Sequence, residues 1–223
     1  GGHTGKTYET TPDGREGWYT SFARRGFGTY ALDDPNRGRA CCDPTKLHLV
    51  RMGLAPPSEL PNMNIYTKET AYATFRFGTY PNAYPGTRFP ISAMDQYAPQ
   101  WVLTYRDAEE NQKITDGIIA AIDKIGPVIL MTHSQSGPRG LEAVFARSNK
   151  VKAYVSIEPA GFGIPAGQLP TAVKKVPMLT VFGDYVEQST QASGWLASAR
   201  DTTSQITSAG GTTKVIHLPE IGI

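Results

Sequence analysis

Pro127-Val128-Ile129-Leu130-Met131-Thr132-His133-Ser134-Gln135-Ser136-Gly137 is the stretch on which the fold turns. Its first five residues read as a short buried strand. A helical segment from about Gly137 to Ser148 follows, with Leu141, Val144 and Phe145 turned inward. Strand, sharp turn and helix in that order are what a serine nucleophile elbow requires. The turn holds its serine in a strained backbone so that Oγ stands clear, and this demands small residues two positions either side. Those positions are Thr132 and Ser136, with Gly137 just behind, so the pattern is small-x-Ser134-x-small rather than G-x-S-x-G. The plainer alternative is a strand end whose Ser136 caps the next helix.

Outward from this stretch, strand and helix alternate, which predicts an α/β fold with a mostly parallel sheet. Asp107 to Ile125 carries Ile114, Ile118, Ala121, Ile122 and Ile125 on one helical face, acids in the first turn and Gly126 past the end. Val151 to Ile157 reads as the next strand and Pro177 to Phe182 as another. A polar helix from about Gln188 to Ser208 leads to a last strand, Thr213 to Leu218. Near the start, Gly14 to Arg25 reads as a helix bearing Trp18, Tyr19 and Phe22, and Gly28 to Asp34 as a strand. Between 41 and 100 the pattern dissolves into Pro, Gly, Asn and aromatic residues. That is too long for a plain connection, and it predicts a cap or lid inserted into a single domain.

Residues at the carboxyl ends of neighbouring parallel strands project into one crevice. Ser134 and Glu158 both occupy such ends, and Asp184 ends the strand after. Either acid could orient a histidine that activates Ser134. Fold analogy favours Asp184, whereas the position of Glu158 directly after an apolar strand favours Glu158. Either could equally be a loop carboxylate that receives backbone N–H bonds. None of the four histidines suits the role of base. His133 precedes Ser134 and faces the opposite side of the strand. His217 lies inside the last strand, His48 in the cap region and His3 in the opening loop.

Composition narrows the partners. The 223 residues, 39% hydrophobic, suffice for one sizeable core. The 22 basic and 20 acidic residues are interspersed, which gives no footprint for nucleic acid, and no apolar run reaches the length of a membrane span. No metal-binding motif occurs and no organic cofactor is implied. Cys41 and Cys42 are adjacent: paired, they would indicate an oxidising compartment, and free they would permit the cytosol. A secreted or periplasmic location stands slightly ahead of a cytoplasmic one. Oligomeric state, a homodimer included, is left open. The opening Gly1-Gly2-His3 carries neither an initiator methionine nor a signal-peptide pattern, so sequence upstream is expected.

Several segments together carry a family resemblance. Gly1-Gly2-His3-Thr4-Gly5 and Tyr8-Glu9-Thr10-Thr11-Pro12-Asp13-Gly14-Arg15-Glu16-Gly17-Trp18 are joined by Arg25-Gly26 and Arg37-Gly38-Arg39. Thr132 to Gly137, Ile157-Glu158-Pro159 and Leu218-Pro219-Glu220-Ile221-Gly222-Ile223 continue the match. The chain resembles the branch of the α/β-hydrolase superfamily typified by the Alcaligenes-type bacterial esterases, with fungal and bacterial members. The resemblance implies a sheet with helices on both faces, Ser134 as nucleophile and Glu158 as triad acid, with Asp184 the alternative.

It also implies that the catalytic histidine follows Ile223 and that strands precede Gly1, so that the chain is an interior slice of the enzyme. Backbone N–H groups of Gly1 or Gly2 and of Gln135 are the oxyanion-hole candidates. The implied reaction is hydrolysis of a small, partly apolar carboxylic ester through an acyl-enzyme. Tyr66, Tyr72, Phe75, Phe77, Tyr80, Tyr84, Phe89 and Tyr97 would line a pocket or form the cap's own core. Amide hydrolysis, a cofactor-free lyase reaction and a non-catalytic binding role on the same fold are the alternatives.

Overall fold

The computed structural model describes residues 3–40, 43–60, 62–64, 66–105, 108–164, 169 and 171–219. Gly1, Gly2, Cys41, Cys42 and the last four residues, 220–223, lie outside the described residues. The chain runs α1 (Trp18–Arg24), α2 (Thr45–Arg51), β1 (Met63–Asn64), α3 (Lys68–Thr74), β2 (Gly78–Thr79), β3 (Asn82–Ala83), α4 (Met94–Tyr97) and β4 (Thr104–Tyr105). There follow α5 (Ala108–Ile125), β5 (Val128–His133), α6 (Ser136–Ala146), β6 (Val151–Ile157), β7 (Met178–Phe182), α7 (Thr190–Ser208) and β8 (Thr213–His217). The described residues form two units, one from 71–89 with 114–219 and one from 3–70 with 90–113. The stretch expected as a cap, 41–100, is thus shared between them.

The first unit is built on a four-stranded parallel sheet in the order β5-β6-β7-β8. Sequence order equals spatial order because each strand returns through a crossover: α6 after β5, a 3-10 turn at Thr171–Lys175 after β6, and α7 after β7. The strands alternate as half-buried strands do. Leu130 and Thr132 on β5, Tyr154 and Ser156 on β6, and Met178, Thr180 and Phe182 on β7 are buried. Ile114, Ile118 and Ile122 of α5, Leu141 and Val144 of α6, and Leu196 and Ile206 of α7 complete one core with them. Each such side chain contributes about 1.5–3 kcal/mol on burial, which fixes the flanking helices to the sheet. On β5, Ile129 and Met131 are exposed, and β5 is an edge of the described sheet.

Residues 71–89 belong to the same unit and form a bracket of their own. The N–H of Phe77 closes the end of α3 on the carbonyl of Tyr72 at 2.9 Å, and the short hairpin of β2 and β3 follows. Phe77 stacks on Phe89 at 4.2 Å, while Tyr72 meets Phe77 and Tyr80 edge-on. Gly78 has φ 142, and a Cβ there would stand 2.2 Å from the carbonyl oxygen of Asn82, so only glycine closes this hairpin.

The second unit pairs β1 with β4 antiparallel. Its interior is aromatic and polar. His3 Nε2 and Tyr97 Oη are 2.6 Å apart, and the His3 ring lies edge-on to Tyr66 and Tyr97. Buried Arg37 pairs with Asp34 at 3.2 Å. The segment expected as a strand at 28–34 is not in a strand. A strand is defined by ladder partners, and this segment leaves Tyr30 and Leu32 exposed instead. The helix expected from Gly14 begins only at Trp18, after an isolated bridge between Thr10 and Glu16.

Candidate active site

Ser134 stands at the carboxyl end of β5 with φ 55, in the left-handed region that costs an L-residue roughly 1–2 kcal/mol. The surroundings hold it there. Its N–H donates to the carbonyl of Ile157 at 3.0 Å, and its carbonyl accepts the N–H groups of Gly137 and Ala160, each at 2.9 Å. Thr132 and Ser136, the small residues two positions either side, are both buried. Ser136 is the first residue of α6 and Gln135 its N-cap, so the capping alternative for Ser136 does not hold. The close approach behind the turn is tight as well: a Cβ on Gly137 would lie 2.5 Å from Cβ of Pro159. Beneath it, Tyr154 Oη donates to the carbonyl of Gly137 at 2.7 Å and lies 2.8 Å from Thr132 Oγ1. Burial pushes the Tyr154 phenol up to about 12.

Glu158 repeats the device one strand over. It follows β6 directly at φ 47, with its N–H donating to the carbonyl of Val181 at 2.8 Å. The two turns interlock, since Ala160 of the Glu158 turn bonds the carbonyl of Ser134 and Pro159 fills the space that Gly137 leaves. Both carboxylate oxygens of Glu158 are engaged. Oε1 accepts the N–H of Gly183, and Oε2 pairs with Nη2 of Arg76 at 2.8 Å. Arg76 is itself 7% exposed, sits at φ 56, and donates through Nε to the carbonyl of Asp184 at 3.1 Å. Asp184 ends in a different environment: Oδ1 accepts the N–H of Tyr185 at 2.7 Å, and Tyr185 again has positive φ. Of the five described non-glycine residues with positive φ, four lie in this unit, and three of those cluster at the carboxyl ends of β5, β6 and β7. Concentrated backbone strain of this kind marks a site whose geometry the fold over-determines.

The structure therefore brings Ser134 and Glu158 onto interlocked turns and sets Asp184 next along the sheet. Arg76 is the member that sequence reasoning missed. Its one signal was a lone cation between two aromatic residues, Phe75 and Phe77, in a stretch read only as cap. The histidines fall where the sequence placed them. His133 is half-buried on β5, and His217 ends β8 with Nε2 3.7 Å from Glu187. His3 and His48 belong to the second unit. Gln135 occupies the N-cap position of α6 immediately after Ser134, while Gly1 and Gly2, the other oxyanion candidates, and the Cys41-Cys42 pair lie outside the described residues. No described helix is long and apolar enough to cross a membrane.

An open cleft of about 280 Å³ in the second unit is lined by Thr4, Lys6, Glu9, Asp33, Gly38 and Arg39. Its charges answer one another, Arg39 with Asp33 and Glu9, and Lys6 with Glu9.

Comparison with known proteins decides the family. The atomic-resolution structure of a novel bacterial esterase superposes with a TM-score of 0.89 at 32% identity, covering 97% of this chain and 68% of that one. The chain belongs to this esterase family. Its α/β-hydrolase fold, with a parallel sheet flanked by helices, is the one expected from the sequence. "Probable secreted lipase phiG" of Fungal sp. (strain ATCC 74256) is 33% identical over 167 residues, which is 72% of this chain. The chain spans 43% of that relative's length. No protein-family model matches the chain.

Proposed function

We infer that this esterase-family chain carries the nucleophile and the acid of a serine carboxylic-ester hydrolase. The observation that supports it best is the interlocked pair of left-handed turns holding Ser134 and Glu158 at adjacent strand ends. Ser134 Oγ attacks the ester carbonyl. A histidine from sequence beyond Ile223 takes its proton and returns it to the leaving alcohol, and Glu158 holds that histidine in the required tautomer. The tetrahedral oxyanion is met by the N–H of Gln135 at the start of α6, where the helix dipole favours negative charge, and by Gly1 or Gly2. Water then attacks the acyl-enzyme and releases the acid. The names of the relatives, an esterase and a lipase, support an ester substrate with an apolar portion.

Glu158 is preferred to Asp184 as the acid because its carboxylate is placed by donors on both oxygens at the end of the strand beside Ser134. The test is fluorophosphonate labelling of the full-length protein, with intact-mass measurement and peptide mapping. A single adduct on Ser134, absent in Ser134→Ala, together with hydrolysis of p-nitrophenyl butyrate, is the expected result. An adduct elsewhere, or ester turnover that survives Ser134→Ala, would overturn the reading. Between the acids, Glu158→Gln is expected to lose about 10⁴-fold in kcat, the cost of a triad acid that no longer fixes the histidine tautomer. Asp184→Asn is expected to keep kcat within about tenfold, and the opposite order would transfer the role to Asp184.

A further inference from the structure

Arg76 has no part in the triad, yet the geometry around it is built. It lies 108 residues before Asp184, in the aromatic bracket of 71–89, and its guanidinium bridges two strand ends. Nη2 binds Oε2 of Glu158 at 2.8 Å, and Nε donates to the carbonyl of Asp184 at 3.1 Å. The N–H of Gly183 takes the other Glu158 oxygen, so the carboxylate is fixed from both sides in rotation as well as position. A carboxylate offers about four lone-pair directions, and these contacts leave capacity for an N–H from a histidine.

The bracket that carries Arg76 is held independently of Glu158. Phe77 stacks on Phe89, Tyr84 stacks on Tyr185 at 4.3 Å, and Tyr185 Oη donates to the carbonyl of Pro85. Arg76 thus reaches the acid from a support with its own packing. A planar fork is the one cationic side chain that can meet a carboxylate and a neighbouring carbonyl at once, which a lysine ammonium on its flexible stem does not reproduce.

We propose that Arg76 is a positioning residue of the esterase reaction, aligning the Glu158 carboxylate toward the catalytic histidine. This rests on Glu158 being the triad acid. It predicts a defect in the chemical step rather than in substrate binding. Displacement of a reacting constellation by about an ångström can cost about 100-fold, and that is the loss in kcat expected of Arg76→Met, with KM unchanged within about twofold.

The decisive experiment is a double-mutant cycle on the full-length protein, assayed with p-nitrophenyl butyrate. Arg76→Met should cost about 100-fold in the wild-type background and less than about twofold on top of Glu158→Gln, because its effect passes through that carboxylate. An Arg76→Met enzyme with wild-type kcat overturns the proposal. So does a loss of equal size in the Glu158→Gln background, since Arg76 would then act by a route other than that carboxylate. If Arg76→Met does not fold, Arg76→Lys takes its place. It keeps the charge without the fork, and is expected to lose about tenfold in kcat at constant KM, a wild-type kcat again overturning the proposal. Full activity of Glu158→Gln would instead overturn the acid assignment, and the role of Arg76 with it. An inactive Glu158→Gln beside a fully active Arg76→Met removes the role of Arg76 alone.

Discussion

Ser134 occupies backbone that an L-residue avoids, which under the proposed nucleophile role is the strain of an elbow that stands Oγ clear of the chain. Replacing it by glycine should relieve the strain. Ser134→Gly is expected to abolish fluorophosphonate labelling while raising unfolding stability by about 1 kcal/mol in a denaturant titration, whereas Ser134→Ala abolishes labelling without that gain. The neighbouring Gly137 behaves in the opposite sense. A methyl there meets Pro159 at 2.5 Å, so Gly137→Ala should cost about 1–3 kcal/mol and, by parting the two turns, lower the labelling rate of Ser134. A Gly137→Ala protein of unchanged stability would show that the turns have room to part. At this scale the strand-to-helix turn at Ser134 was legible, because small neighbours between a strand and a helix follow from local geometry alone. Glu158 was legible only as one of two strand-end acids. Arg76 was not, since its partners lie far along the chain and nothing in its own segment carries a period.

Among the elements, β5, α5, α6, β6, β7, α7 and β8 were readable within a few residues because each buries one face and is bounded by turn residues. The segment at 28–34 was not, because alternation can describe a strand but cannot supply its partner. Two pairs of elements also set the response to pH. Asp123 on α5 receives Arg147 and Lys150 from the turn after α6 at 2.7–3.0 Å, and those contacts hold its carboxyl well below the usual range. A depressed carboxylate contributes stability above its unfolded pKa and loses it as pH falls through its folded value. Tyr154 on β6 works at the other limit. Raised from 10.0 to about 12, chiefly by burial, its contribution is complete below pH 10 and is lost as pH rises toward 12. Melting temperature should therefore fall on the alkaline side above about pH 10, and Tyr154→Phe should flatten that limb. It should do so from a lower plateau, through loss of the bonds to Gly137 and Thr132, at about 1 kcal/mol each. An alkaline limb unchanged by Tyr154→Phe would assign it to other groups.

For the molecule as a whole, the sequence predicted one domain with an inserted cap at 41–100, and the contacts sort this stretch differently. Residues 71–89 side with the sheet, held by Phe77 on Phe89 and Tyr84 on Tyr185, while the flanking parts join the second unit. Aromatic composition announced ring packing in this stretch but not which aromatics pair, since stacking partners follow from tertiary placement rather than spacing. The open side of β5 has a further consequence, in the time domain. Successive backbone amides of a strand point to opposite sides, and β6 is the single strand neighbour of β5 among the described residues. In the 223-residue chain, hydrogen exchange along Val128–His133 should run in a two-residue ripple: slow where the N–H faces β6, as at Val128, and fast at Ile129 and Met131. Uniform protection would contradict the open edge. Any segment that came to lie along it would silence the fast amides and leave the slow ones as they were, so the strand that ends at Ser134 also records what docks beside it.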